Sequence, residues 1–81
     1  MSYIGKNIRK IRISKKMTQT EFAELFDLKR TAVGSYEEGR AEPKIETLIK
    51  ISDYFNLSLD QLLRKELTIN EIFHFRDDLL K

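Results

Sequence analysis

Ile4, Ile8 and Ile11 recur at i, i+4 and i+7. That spacing lines one side of an α-helix with apolar residues, opposite a basic face. It predicts a first helix over about residues 3–15. Thr18 and Glu21 then form a capping box, in which each side chain satisfies an orphan backbone N–H. A second helix therefore starts near Gln19, buries Phe22, Ala23 and Phe26, and is expected to end at Asp27. A third runs from about Lys29 to Glu37, with Val33 and Tyr36 one turn apart. It stops at Gly39, a C-terminal glycine signal.

The stretch "GRAEPK" is a loop, because Pro43 disfavours helical geometry at Glu42. A fourth helix covers about residues 44–55, with Ile45, Leu48, Ile49, Ile51, Tyr54 and Phe55 apolar and Asn56 closing it. Ser58 with Gln61, and Thr68 with Glu71, make two further capping boxes. They predict a fifth helix over about residues 59–64 and a sixth from about Ile69 to Lys81. No segment alternates with period two over a strand's length. The expected fold is all-α: a compact five-helix domain in residues 1–65, then a C-terminal amphipathic helix in residues 66–81.

Composition narrows the class. A chain of 81 residues fits one domain. With 41% hydrophobic and 35% charged residues it is globular, not disordered. It has no cysteine, which excludes disulfides and thiolate metal sites and fits a reducing, intracellular setting. No apolar run approaches the roughly 18 residues of a membrane span. The opening "MSYIGKNIRK" lacks the apolar core of a signal peptide. The net charge is only +2, but Lys6, Arg9, Lys10, Arg12, Lys15 and Lys16 all fall in residues 1–16, where there is no acid. Such a cluster fits an anionic partner at one face, and it fits a solvated helix face equally well.

Two short helices joined by a tight turn and packed on a third form a helix-turn-helix. In that motif the first helix crosses the DNA backbone and the second puts its N-terminal residues against base edges in the major groove. The stretch "TQTEFAELFDLKRTAVGSYEEGRAEPKIETLIKISDYFNLSLDQLL" resembles the lambda-repressor-like, Cro/XRE-type helix-turn-helix domain, over about residues 4–63. The resemblance rests on an ordered set. Gln19 opens the second helix, Ala23 stands at the tight helix–helix contact, Val33 and Tyr36 anchor the core, and Glu37 precedes x-Gly. Pro43 and "SLDQLL" complete it.

The resemblance implies double-stranded DNA as partner and assigns roles at matching positions. Gln19 implies a phosphate contact, or phosphate plus base. Lys29, Arg30, Thr31, Gly34 and Ser35 take the exposed positions of the recognition helix, with Arg30 and Thr31 as the base readers and Lys29 on phosphate. Arginine donates two hydrogen bonds to guanine O6 and N7, worth about 1–3 kcal/mol of discrimination. Arg40, Lys6 and Asn7 are further backbone contacts, and Arg12 with Glu37 matches a partly buried structural ion pair. Two positions depart from the pattern. Asp27 stands where the family usually has glycine, though aspartate tolerates left-handed geometry better than most residues. Lys29 stands where the family often has Ser or Thr, and it cannot cap a helix. Gly34 is unexpected inside a helix, where glycine costs about 1 kcal/mol relative to alanine. On the DNA side it admits two readings: closer approach to the bases, or a neutral position held by tertiary packing.

Ile69, Ile72, Phe73, Leu79 and Leu80 form an apolar stripe on the C-terminal helix, with Phe75 off it. They mark a contact with a second subunit or with another protein, or simply cover their own domain, as Leu25 on the second helix also invites. His74 stands without cysteine or a second histidine, so a metal site is not expected. Asp77 and Asp78, like Glu37 and Glu38, point about 100° apart on a helix and make no acid–base pair. No cofactor motif and no catalytic constellation is present.

The resulting expectation is a non-enzymatic, sequence-specific DNA-binding regulator, cytoplasmic and prokaryotic or phage-encoded. It would repress as a homodimer on a two-fold operator. Two rivals keep the same domain. One is an antitoxin that binds a toxin through the C-terminal helix and represses its own operon. The other is a protein-interaction module that has lost DNA binding, which the retention of Gln19, Lys29, Arg30 and Arg40 speaks against.

Overall fold

The computed structural model describes residues 2–74. Six helices follow one another: α1 (Ile4–Ser14), α2 (Gln19–Leu25), α3 (Arg30–Glu37), α4 (Ile45–Phe55), α5 (Leu59–Arg64) and α6 (Ile69–Phe73). The described residues contain no strand, so the all-α expectation stands.

Each expected capping box is present. Glu21 N–H donates to Thr18 Oγ1 at 3.0 Å and Thr18 N–H to Glu21 Oε1 at 2.8 Å. Ser58 with Gln61 and Thr68 with Glu71 repeat the arrangement at α5 and α6. Reciprocal capping satisfies two of the donors a helix start leaves unpaired, which is why such short helices begin where they do. Except at α5, which gives way to an extended Lys65 (φ −153°), the helices are closed at their other ends by a left-handed residue. Gly39 fills this role after α3 (φ +76°), with Arg40 N–H donating to Ser35 O and Gly39 N–H to Tyr36 O. Lys16, Asp27 and Asn56 close α1, α2 and α4 in the same way, at φ 57°, 56° and 54°. α2 thus stops at Leu25, two residues before the expected end, and Asp27 supplies the turn geometry instead of extending the helix.

The apolar stripe of α1 is the spine of the core. Ile4, Ile8 and Ile11 are buried with Phe22, Ala23, Val33, Ile51 and Leu62. Phe22, Phe26 and Phe55 form an aromatic cluster, with ring centroids 4.9 to 6.0 Å apart, that ties α2 to α4. Offset and tilted ring contacts of this kind add to the area they bury. Gly5 faces the end of α3, where an added Cβ would lie 2.1 Å from the Tyr36 carbonyl oxygen. The missing side chain lets the two backbones meet.

Three expectations change. Asn7 is not a surface contact: it is 0% exposed. Its amide nitrogen donates to Leu62 O at 2.8 Å and Lys65 O at 2.7 Å, and its oxygen accepts from Leu67 N–H at 2.9 Å. Asn7 shares the helical phase of Ile4 and Ile11, and it joins α1 to the α5–α6 turn by satisfying backbone groups. The sixth helix is the second correction. It breaks after Phe73, where His74 is left-handed at φ 55°; residues 75–81, over which it was expected to continue, lie outside the described residues. His74 Nε2 lies 3.2 Å from the Phe55 carbonyl at the end of α4, a tertiary contact that holds the stop in place. Third, the expected second-subunit stripe divides. Ile72 is buried in its own domain and Phe73 packs against the same core beneath Lys15, whereas Ile69 is exposed. Leu79 and Leu80, with Phe75, Asp77 and Asp78, lie outside the described residues.

Candidate nucleic-acid interface

The α2–α3 turn sets the interface. After Leu25 the chain reverses through Phe26 and Asp27, and Leu28 N–H returns to Ala23 O at 2.8 Å. Ala23 is buried there, so its small side chain permits the close crossing. Lys29 then takes an extended backbone (φ −81°, ψ 147°) as the N-cap of α3 and makes no side-chain cap, as its chemistry requires. Val33 is buried against the core and Tyr36 packs on it. Arg30 and Gly34 form one row of the outer face, and Thr31 and Ser35 the next, because residues four apart stack along a helix. Arg30 and Thr31 are exposed; Gly34 and Ser35 are half-buried.

An added Cβ at Gly34 meets nothing nearer than the Gln19 amide at 4.0 Å. Packing within the domain therefore does not require glycine at this position.

Behind this face runs a continuous hydrogen-bond chain. Arg12 Nε donates to Glu37 Oε2 at 2.7 Å, Arg12 Nη2 to Glu37 Oε1 at 3.0 Å, and Arg12 Nη1 to Met17 O at 3.0 Å. The pair is mostly buried, its side chains 14% and 5% exposed. Hydrogen bonding to Glu37 raises the Arg12 pKa against the opposing effect of burial. The expected ion pair between the first and third helices is thus present in bidentate form, the strong geometry for such pairs. It continues outward. Gln19 Nε2 donates to Glu37 Oε1 at 3.2 Å, and Gln19 Oε1 accepts from Arg30 Nη1 at 2.9 Å. A carboxylate only accepts and a guanidinium only donates, so both neighbours demand the same orientation of the Gln19 amide. The buried pair thereby orients Gln19, and Gln19 holds Arg30 over the start of α3.

The remaining expected contacts are dispersed. Arg40 Nη2 donates to Glu38 Oε1 at 2.6 Å, with both side chains largely exposed. Such a pair contributes little and is readily exchanged for another anion. Lys6 lies 3.7 Å from Glu66, about a third of a turn around α1 from Arg12, and is not gathered with the α3 face. Two features escaped the sequence reading. Gly5 carries the α1–α3 approach; its signal was a glycine beside the apolar stripe. The Gln19–Arg30 bond joins two elements and has no local sequence signal. Among the described residues no cluster of His, Cys, Asp or Glu is placed to hold a metal ion, and no helix is long and apolar enough to cross a membrane.

Comparison with known proteins agrees with this geometry. A helix-turn-helix family model matches residues 8–62, which brackets α2, the turn and α3. The chain is 43% identical over 62 residues to the uncharacterized HTH-type transcriptional regulator YqaE of Bacillus subtilis, covering 76% of this chain and 53% of that protein. It is 38% identical over 60 residues to the SPbeta prophage-derived HTH-type regulator YonR of the same organism, covering 74% and 56%. It therefore spans about half the length of these curated relatives. A crystal structure of a transcriptional regulator from Listeria innocua superposes with a TM-score of 0.75 at 26% identity, over 99% of this chain and 75% of that one. With the family match covering most of the domain and the α2–α3 geometry in place, the chain belongs to the lambda-repressor-like, Cro/XRE-type helix-turn-helix family.

Proposed function

We propose that this domain binds double-stranded DNA sequence-specifically through the outer face of α3 and acts as a transcriptional repressor by occluding a promoter. The observation that carries the reading is Arg30, exposed at the first turn of α3 and oriented by Gln19. In the motif's docking geometry these are the residues that reach base edges. Arg30 and Thr31 read bases, with Arg30 suited to guanine O6 and N7. Ser35 extends the face, Lys29 and Arg40 meet phosphate, and Gln19 serves both backbone and Arg30. Once DNA is bound, the uncapped start of α3 meets a negative charge and Lys29 is no longer unfavourably placed beside the helix dipole.

One recognition helix reads only a few base pairs, so the functional unit in this reading is a dimer on a two-fold site. Ile72 and Phe73 are engaged in their own core, so the two-fold contact is made by other residues. Selecting bound duplexes from a random library at about 150 mM salt, where non-specific phosphate binding is weak, tests the proposal. Enrichment of a symmetric site is the expected result. A lone half-site would remove the dimer and leave the DNA reading. No enrichment at any salt would overturn the function.

A further inference from the structure

Part of the basic cluster of residues 1–16 is not absorbed by the recognition face. Arg12 turns toward α3, and Gly5 packs on it. Lys6 and Ile13 each sit one residue further along α1, about 100° round the helix. With Arg9 and Lys10 they form one wall of a groove of about 440 Å³, whose opposite wall is Glu66 and Ile69 at the start of α6. Ile13 is 52% exposed and Ile69 45% exposed. Among the described residues the side chains of Arg9 and Lys10 have no ion-pair or hydrogen-bond partner, and that of Lys6 has only the exposed Glu66.

We propose that the α1–α6 groove docks an acidic, amphipathic segment of a protein partner, seating aliphatic side chains between Ile13 and Ile69 and carboxylates on Arg9 and Lys10. Charge complementarity selects an acidic occupant: Lys6, Arg9 and Lys10 line the α1 wall, the carboxylate Glu66 of the facing wall is paired with Lys6, and the other two cations go unneutralised within the described residues. The two exposed isoleucines select a protein segment over a phosphate backbone, since a sugar–phosphate chain has no aliphatic side chains to seat between them. An amphipathic helix lays its apolar face into such a groove and reads as anchors spaced i, i+3 or i+4. The groove lies away from α3, so it stays open when DNA occupies the recognition face, and the inference goes beyond the DNA reading without depending on it.

The test selects displayed random peptides on the 81-residue chain, with and without an excess of duplex DNA. The expected winners carry Asp or Glu around leucine or isoleucine at helical spacing. Arg9→Glu combined with Lys10→Glu should weaken them roughly tenfold or more, as a hot-spot pair does. Ile13→Gln should weaken them as well, while circular dichroism shows all three positions on a folded chain. The proposal fails if no acidic amphipathic class is enriched, or if the winners ignore Ile13→Gln. It fails too if duplex DNA displaces them, which would make the groove part of the DNA interface. If these substitutions instead dissociate a homodimer in sedimentation, the face belongs to a second copy and the proposal is overturned.

Discussion

Two glycines in helices have opposite physical origins. Gly5 is required by packing, because a Cβ there would lie 2.1 Å from Tyr36 O. Gly34 is not, because its Cβ would meet only the Gln19 amide at 4.0 Å. Gly5→Ala should therefore destabilise the domain by about 1–3 kcal/mol, the usual cost of overpacking, despite alanine's better helix propensity. Gly34→Ala should stabilise it by about 0.5–1 kcal/mol, and urea midpoints of the two variants against the parent check both signs. If Gly34→Ala folds more stably yet binds selected DNA less tightly, the groove needs that space. The sequence drew attention to Gly34 because it interrupts a helix, but it could not rank the two glycines, because the deciding distance runs from α1 to α3. Asn7 teaches the same lesson. The family resemblance put it against the DNA backbone, whereas its phase beside Ile4 and Ile11 placed it in the core, where backbone groups of the α5–α6 turn satisfy it.

At the scale of elements, helix starts were legible and helix stops were only partly so. The three capping boxes are local, so a Thr or Ser and a Glu or Gln three residues apart were sufficient signal. Gly39 and Asn56 were readable stops because they tolerate left-handed geometry. The stop after α1 uses Lys16, which has no local preference for it, and the stop after α6 uses His74, where a mild preference is joined by a contact with the Phe55 carbonyl at the end of α4. The α6 box also makes a pH-dependent prediction. Burial raises the Glu71 carboxyl, but donations from Lys65, Gln61 and Thr68 outweigh it and hold the pKa down to about 2, from an ordinary 4.5. A folded pKa below the unfolded one contributes stability above about pH 4.5, which is lost as pH falls toward 2. Glu71→Gln keeps the capping box and removes the titration. Relative to the parent it should be less stable near neutral pH, by on the order of 1 kcal/mol after solvent screening, with the gap closing only as pH falls through about 2. Urea denaturation at the two pH values measures this.

At the scale of the whole molecule, the sequence was sufficient for the fold because the order of caps, breaks and apolar stripes admits few helical arrangements. It was less sufficient for the interface. The positions of Gln19, Arg30, Arg12 and Glu37 could be named, but the chain of hydrogen bonds that joins them from Met17 O to Arg30 appears only once α1, α2 and α3 are packed. Charge follows the same division. The basic cluster was visible, while its split between the α3 side and the α1–α6 groove depends on helix phase and packing. Phosphate and base contacts are expected to separate in solution. Lys29→Ala should weaken binding to different duplexes by a similar factor and reduce the slope of log K against log salt by about 1, as a phosphate contact does.

The most direct test is of Arg30. Duplexes selected from one random library by the parent chain and by Arg30→Ala, under identical salt, are compared position by position. The account predicts that the parent enriches a site with guanine at one position of each half. The variant should lose that preference, with a cost of about 1–3 kcal/mol on the parent's site and the rest of the site retained. If Arg30→Ala selects the same site with undiminished affinity, Arg30 does not read bases and the assignment of the α3 face is wrong.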